Sequence, residues 1–275
     1  MFCKSINGKC QVILVLVIIL YAQAPVLGYE LRVVRSISAP SVKTAGLAWD
    51  NGALWVYGYD VRGSETYNRL YKVDPSNGGI LEDFPLYWPD DIGDLAFDGT
   101  YIWACRLYDN KISKINPDDG TVIESYEAFG RPAGMAFDGE YLWNVSDVGD
   151  HRGTLYKINP ASFEVVAHYD LNVSNAWGLA YDGSHFWALD YSGPSGSMHL
   201  IDSMDGSVIQ SYSWMGERIG LAWDGEYLWE SHFGGYFSGG GVYRWGTIEQ
   251  VEVPEPTIML LFSVGSLALL SKRRP

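Results

Sequence analysis

The sequence predicts an all-β protein: a five-bladed β-propeller of four-stranded antiparallel blades, with the ring closed by the N-terminal strand. Three observations predict it. A ten-residue unit occurs five times, as "GLAWDNGALW" from Gly46, "DLAFDGTYIW" from Asp94, "GMAFDGEYLW" from Gly134, "GLAYDGSHFW" from Gly178 and "GLAWDGEYLW" from Gly220. The closing tryptophans, Trp55, Trp103, Trp143, Trp187 and Trp229, stand 48, 40, 44 and 42 residues apart, a period that accommodates four short strands. Turn residues recur at fixed places between apolar runs, with no helical periodicity between them.

Within each repeat the elements follow in order. A short strand ends in an aromatic residue. Next comes Asp98-Gly99, Asp138-Gly139, Asp182-Gly183 or Asp224-Gly225, which supply the backbone of a tight hairpin, and a second strand closes on Trp. In the first copy Asn51 stands where the others have Gly, and Asn also tolerates the left-handed conformation. A third strand follows as "RLYKVDP" from Arg69, "KISKINP" from Lys111, "TLYKINP" from Thr154 or "MHLIDS" from Met198. Turns such as Asn116 to Gly120 and Asp202 to Gly206 lead into a fourth, for example "TVIESY" from Thr121 and "SVIQSY" from Ser207. The fifth copy offers a third strand at 241–245 and no clear fourth. "LRVVRSIS", from Leu31 to Ser38, precedes the first copy and is expected to complete the last blade; in a second arrangement "TIEQVEV" from Thr247 completes it. One blade cannot bury both faces, and a closed ring lets each pack on two neighbours.

Both ends of the chain differ from this pattern. Residues 1–28 carry Lys4 and Lys9, an apolar run from Val12 to Leu20 and small residues up to Gly28, the three-part layout of a secretory signal peptide cleaved after Gly28. The propeller is assigned to 29–250. Residues 251–275 contain Pro254-Glu255-Pro256, an apolar stretch from Thr257 to Leu270 that is marginally long enough to span a bilayer as one helix, and Lys272-Arg273-Arg274, which should stay cytoplasmic. That order at the C-terminus resembles the PEP-CTERM sorting signal of Gram-negative bacteria. The resemblance implies transient inner-membrane anchoring, an exosortase-type processing enzyme as partner, and delivery to the cell surface, outer envelope or extracellular matrix.

Charge narrows the partners further. All 33 acidic residues lie between positions 29 and 256 with only 14 of the 19 basic ones, so this acidic region carries −19. Such a surface repels phosphate backbones and excludes nucleic acid as a partner. Of Cys3, Cys10 and Cys105, only the last lies outside the signal segment, so no disulfide framework forms and Cys105 reads as a small buried hydrophobe.

Strand order places the Asp-Gly and Asn-Pro turns on one rim, and the second-to-third and fourth-to-first connections on the other. The second rim varies between copies, so a site belongs there and at the mouth of the central channel. Its ligand-binding candidates are Asp60, Trp88, Arg106, Arg131, Asp147, Trp177, Asp190, Tyr191 and Arg218, joined by Tyr59, Tyr108, Asp109 and Tyr236. Aromatic rings would stack on a sugar or peptide while carboxylates and guanidinium groups orient it. Glu230 and His232 are the one acid–base pair near the channel mouth; Asp147 and Asp150 are the oxygen ligands that a calcium ion would use. No other cofactor is indicated: the G-x-S-x-G, H-E-x-x-H and P-loop motifs are all missing, and the five histidines lack metal-ligand spacing.

The repeats "LAWDG..LW" and "YKINP" resemble those of secreted bacterial propellers related to plant-type glutamine cyclotransferases and to streptogramin-lyase-like propellers. The resemblance implies a five-bladed ring and, for the cyclotransferase type, cyclisation of N-terminal glutamine; it transfers no catalytic residue to this chain. Three functions compete on this reading: a non-enzymatic binding or matrix-associated surface protein, which the sequence favours, a cyclotransferase- or lyase-like enzyme with its site at the channel mouth, and a structural spacer of the envelope.

Overall fold

The computed structural model describes residues 31–253 except 42, 63–64, 88–91, 148–152, 174, 191–195, 214–217 and 233–246. It also describes a separate hairpin of β1 (Phe2–Ile6) and β2 (Lys9–Ile13). For 60–62, 65–67, 92, 147 and 247–249, as for this hairpin, the description extends to the backbone alone.

Five four-stranded antiparallel sheets are present. Blade 1 comprises β4 (Lys43–Asp50), β5 (Ala53–Arg62), β6 (Glu65–Val73) and β7 (Ile80–Leu86). Blade 2 comprises β8 (Ile92–Phe97), β9 (Ile102–Arg106), β10 (Lys111–Ile115) and β11 (Val122–Glu127). β12 (Arg131–Phe137), β13 (Leu142–Asp147), β14 (Gly153–Ile158) and β15 (Val165–Leu171) form blade 3. β16 (Ala176–Tyr181), β17 (His185–Asp190), β18 (Ser197–Asp202) and β19 (Val208–Ser213) form blade 4. Blade 5 joins β20 (Arg218–Trp223), β21 (Leu228–His232) and β22 (Thr247–Glu252) to β3 (Arg32–Ser38) from the other end of the chain.

Blade 5 is thus closed by the N-terminal strand, as expected, but its third strand differs from the sequence reading. Residues 241–245 lie outside the described residues, and the strand paired with β21 is β22, with Leu228 opposite Val251 and Glu230 opposite Glu249. β22 in turn pairs with β3, from Thr247 opposite Ser38 to Glu252 opposite Arg32. Both segments weighed for completing the ring therefore belong to it. Val251 is fully buried, which a third strand between two partners requires and a loose linker does not.

Burial follows position in the blade. Second strands are buried on both faces because each face meets a neighbouring blade: Ile102 to Cys105 are all buried. Outer strands alternate, as Val165 to Leu171 do, because only one face is covered. Each inner strand packs against the inner strands of both flanking blades. Backbones approach so closely there that a Cβ on Gly178 would lie 2.4 Å from the Ile219 carbonyl oxygen, and one on Gly220 would lie 2.2 Å from that of Ala45.

The repeated letters are explained by one local device. Asp138 Oδ1 accepts the N–H groups of Glu140 and Tyr141 at 2.9 and 2.7 Å, holding the hairpin, while its Oδ2 accepts Trp143 Nε1–H at 2.7 Å. Asp98, Asp182 and Asp224 do the same for Trp103, Trp187 and Trp229. The glycine after each of these aspartates has positive φ, between 90° and 103°. In blade 1 the turn is built differently, with Asn51 at φ 40°, yet Trp55 still donates to Asp50 at 3.1 Å. The lysine of the third strand completes the unit: Lys114 Nζ lies 3.9 Å from the Tyr101 ring centroid and Lys157 Nζ lies 4.0 Å from that of Tyr141.

Candidate ligand-binding site at the axial mouth

Every inner strand carries a register shift just inside the variable rim: between Thr44 and Leu47, Ile92 and Leu95, Pro132 and Gly134, Ala176 and Gly178, and Arg218 and Leu221. A bulge leaves an extra residue outside the ladder and re-aims its side chain. In blade 4 that residue is Trp177, which packs on the cluster containing Tyr59, Leu86 and Ile219 from blades 1 and 5. The guanidinium carbon of Arg131, from blade 3, lies 5.9 Å from the Trp177 ring centroid and 6.0 Å from that of Tyr108, from blade 2. Arg131 and Tyr108 are exposed and Trp177 is half-buried, so three blades present one cation between two rings to solvent. On blade 1, Lys43 Nζ stands 4.7 Å from the Tyr59 ring centroid.

Two ion pairs frame this patch. Arg106 Nη2 meets Asp109 Oδ2 at 2.5 Å. Arg218 pairs with Glu230, whose carboxylate is fully buried, and His232 Nε2 lies 3.6 Å from the same oxygen. Glu230 is therefore held by an arginine within the protein. A buried carboxylate locked in this way supports the wall of the mouth.

Beneath the mouth the channel is occupied by Asp94, a residue the sequence reading treated only as the first letter of its repeat. Asp94 is fully buried, and its carboxylate accepts backbone N–H groups from Leu47 (3.1 Å), Met135 (3.3 Å) and Leu179 (2.9 Å), which belong to blades 1, 3 and 4. Burial pushes this carboxyl well above the usual aspartate range, against the opposing pull of those N–H groups and that of Leu95. Cys105 supports the same strand. It is buried as expected, but its Sγ also lies 2.7 Å from the Ala133 carbonyl oxygen and accepts the Asp94 N–H at 3.1 Å. The only signal for Asp94 in the sequence was an acid where the other four copies have Gly.

The structure brings Arg106, Arg131, Trp177, Arg218, Glu230 and His232 to the mouth region. Asp190 ends β17 on the same rim and faces His199, a neighbour whose tendency to lose its proton on burial it opposes. Asp60 lies in the last residues of β5 and Asp147 ends β13 near that rim, but their side chains, like Trp88, Asp150, Tyr191 and Tyr236, lie outside the described residues. Among the described residues no group of three or more His, Cys, Asp or Glu is arranged to hold a metal ion. The calcium ligands proposed from sequence, Asp147 and Asp150, fall outside that description.

Comparison with known proteins separates the tail from the ring. Residues 252–274 match the PEP-CTERM protein-sorting motif. This chain carries an export and membrane-sorting signal. The PEP-CTERM match includes Pro254, Glu255 and Pro256 as well as Lys272, Arg273 and Arg274. Among the described residues no helix is long and apolar enough to cross a membrane, and the tail from Pro254 lies outside them. The ring is similar to the crystal structure of Myxococcus xanthus glutaminyl cyclase, with a TM-score of 0.62 and 13% identity over 82% of this chain and 98% of that one. PQQ-bound aldose sugar dehydrogenase from Streptomyces coelicolor gives a TM-score of 0.46 and 15% identity, again over 82% and 98%. At such identities the likeness to the cyclase shows the fold alone. A search of curated proteins gives no match.

Proposed function

We propose that the PEP-CTERM chain is an exported binding protein, displayed at the cell surface or its matrix after exosortase-type processing, whose ligand docks across Tyr108, Arg131 and Trp177. The observation that carries this reading is the exposed Arg131 guanidinium between two aromatic rings. A cation flanked by stacking surfaces suits a ligand with a flat apolar face and oxygen acceptors, which describes a sugar of a surface polysaccharide. Two acids at the mouth, Glu230 and Asp109, are committed to Arg218 and Arg106, which favours binding over acid–base chemistry.

Titration of the protein's tryptophan fluorescence with surface polysaccharide tests the proposal. Saturable quenching is expected for the wild type, with affinity weakened roughly tenfold or more by Arg131→Ala and by Trp177→Ala. Unchanged affinity in both variants would sink the site.

A second reading is an acyl-transfer enzyme of the glutaminyl cyclase type. It draws on the proximity of Glu230, His232 and Arg218 and on the fold of the cyclase neighbour. It predicts conversion of glutamine-terminated peptides, abolished in Glu230→Gln while the fold is retained.

A further inference from the structure

We infer that the inward-facing N–H groups of the inner strands form an axial anion-binding site, and that Asp94 fills it with the chain's own carboxylate. Removing that side chain leaves a site for a small carboxylate such as formate or acetate.

The donors converge from different blades. Oδ1 of Asp94 accepts from Leu47, and Oδ2 accepts from Met135 and Leu179, while Leu95 adds a fourth backbone N–H from the carboxylate's own strand. In blade 5 the corresponding position belongs to Leu221. Each of these residues sits on an inner strand, whose inner edge has no neighbouring strand in its sheet. Backbone N–H groups buried at such an edge need an acceptor from elsewhere. A carboxylate only accepts, whereas an amide in its place would turn a donor toward a ring of donors.

Two features make the site separable from the fold. Gly46, Gly134, Gly178 and Gly220 occupy the equivalent place in the other copies, so the blade is built without a side chain there four times out of five. In blade 2 the close approach to the next strand is made instead by Gly93, where a Cβ would lie 2.5 Å from the Ala133 carbonyl oxygen, which frees position 94 to carry a side chain. The channel continues beyond this level as an axial cavity of about 80 Å³, lined by the Leu-Ala-aromatic and Met-Ala-aromatic triplets of the five repeats. One water needs only about 10–15 Å³, so an anion of three or four non-hydrogen atoms has room to enter.

The experiment compares thermal melts of the purified wild type and Asp94→Gly in mildly alkaline buffer, with sodium formate, sodium acetate or an equal ionic strength of a bulky organic sulfonate. Asp94→Gly is expected to melt about 5–10 °C below the wild type, since several buried N–H groups lose their acceptor. Formate and acetate should restore most of the loss along a saturating curve, with no comparable effect on the wild type. A folded Asp94→Gly that responds to no anion, or a wild type raised equally by formate, would overturn the proposal. Asp94→Asn keeps the shape and removes the charge. It should melt below the wild type and ignore formate, and a wild-type melt for this variant would overturn the proposal even if Asp94→Gly did not fold.

Discussion

Asp138 shows what one atom pair does for a blade. Its two oxygens close the hairpin and fix the indole of a nearly buried tryptophan, Trp143. Removing them strands the Trp143 N–H and loosens the turn together. Asp138→Ala should therefore cost about 2–4 kcal/mol in urea unfolding, and Asp138→Asn, which retains acceptor and shape, about half as much. This residue-level logic was half legible in the sequence. The Asp-Gly pairs were readable as hairpin turns because their partners are neighbours along the chain, whereas the second bond, to the tryptophan five residues on, was not. Asp94 was not legible, since its partners come from three other blades, 41 to 85 residues away for Met135 and Leu179. Arg131 and Trp177 could be assigned to the mouth from topology alone, but the ring-to-cation spacing between them depends on a bulge that no short motif announces.

At the scale of elements, the turns between third and fourth strands are each organised by a side-chain carboxylate or amide. Asp74, Asn116, Asn159 and Asp202 accept the N–H two residues on. A positive φ then follows at Gly78, Gly120 and Gly206, and at Phe163 in blade 3. Phe163 accepts a backbone conformation costly for a side chain because its ring is buried, stacking 4.0 Å from Tyr126 of blade 2. In these turns the half-buried Asp74 and the exposed Asp119 and Asp205 have pKa values lowered by hydrogen bonds, from Ser76, Thr121 and Ser207 respectively. A carboxyl whose folded value lies below its unfolded value adds stability above the ordinary aspartate range and loses it as pH falls through the depressed value. Through these three groups the urea midpoint should fall below about pH 4, whereas Asp94, raised by burial, acts in the opposite sense and takes stability away as pH rises above the ordinary aspartate range. In the triple variant Asp74→Asn, Asp119→Asn, Asp205→Asn the acid-side slope should be shallower. An unchanged slope would assign the acid sensitivity to other groups.

For the whole molecule, the decisive feature is the strand shared between the two ends. β3 is the outermost strand of blade 5 and β22 the one beside it, and their ladder is clasped at its end by Arg32 and Glu252, 220 residues apart in sequence and paired with Nη2 2.5 Å from Oε2. The exposed ion pair itself adds little. The ladder and the burial of Leu31 and Ile37 against the ring add much more. Deleting 31–38 should leave the edge of β22 open and convert the cooperative melt of the ring into a broad one, with self-association visible by light scattering. A sharp, monomeric transition would show that the ring does not depend on this strand.

The same closure sets where the chain can be cut without harm. The PEP-CTERM match begins at 252, the last residue of β22, and Val253 still packs against the ring. Severing the chain beyond Val253 releases the propeller from its tail with all twenty ring strands in place. A cut only a few residues earlier removes a strand from the middle of blade 5 and takes the clasp with it. Anchorage and integrity thus meet within one or two peptide bonds, and a processing enzyme that misjudged its position by a single turn would release an open arc in place of a ring.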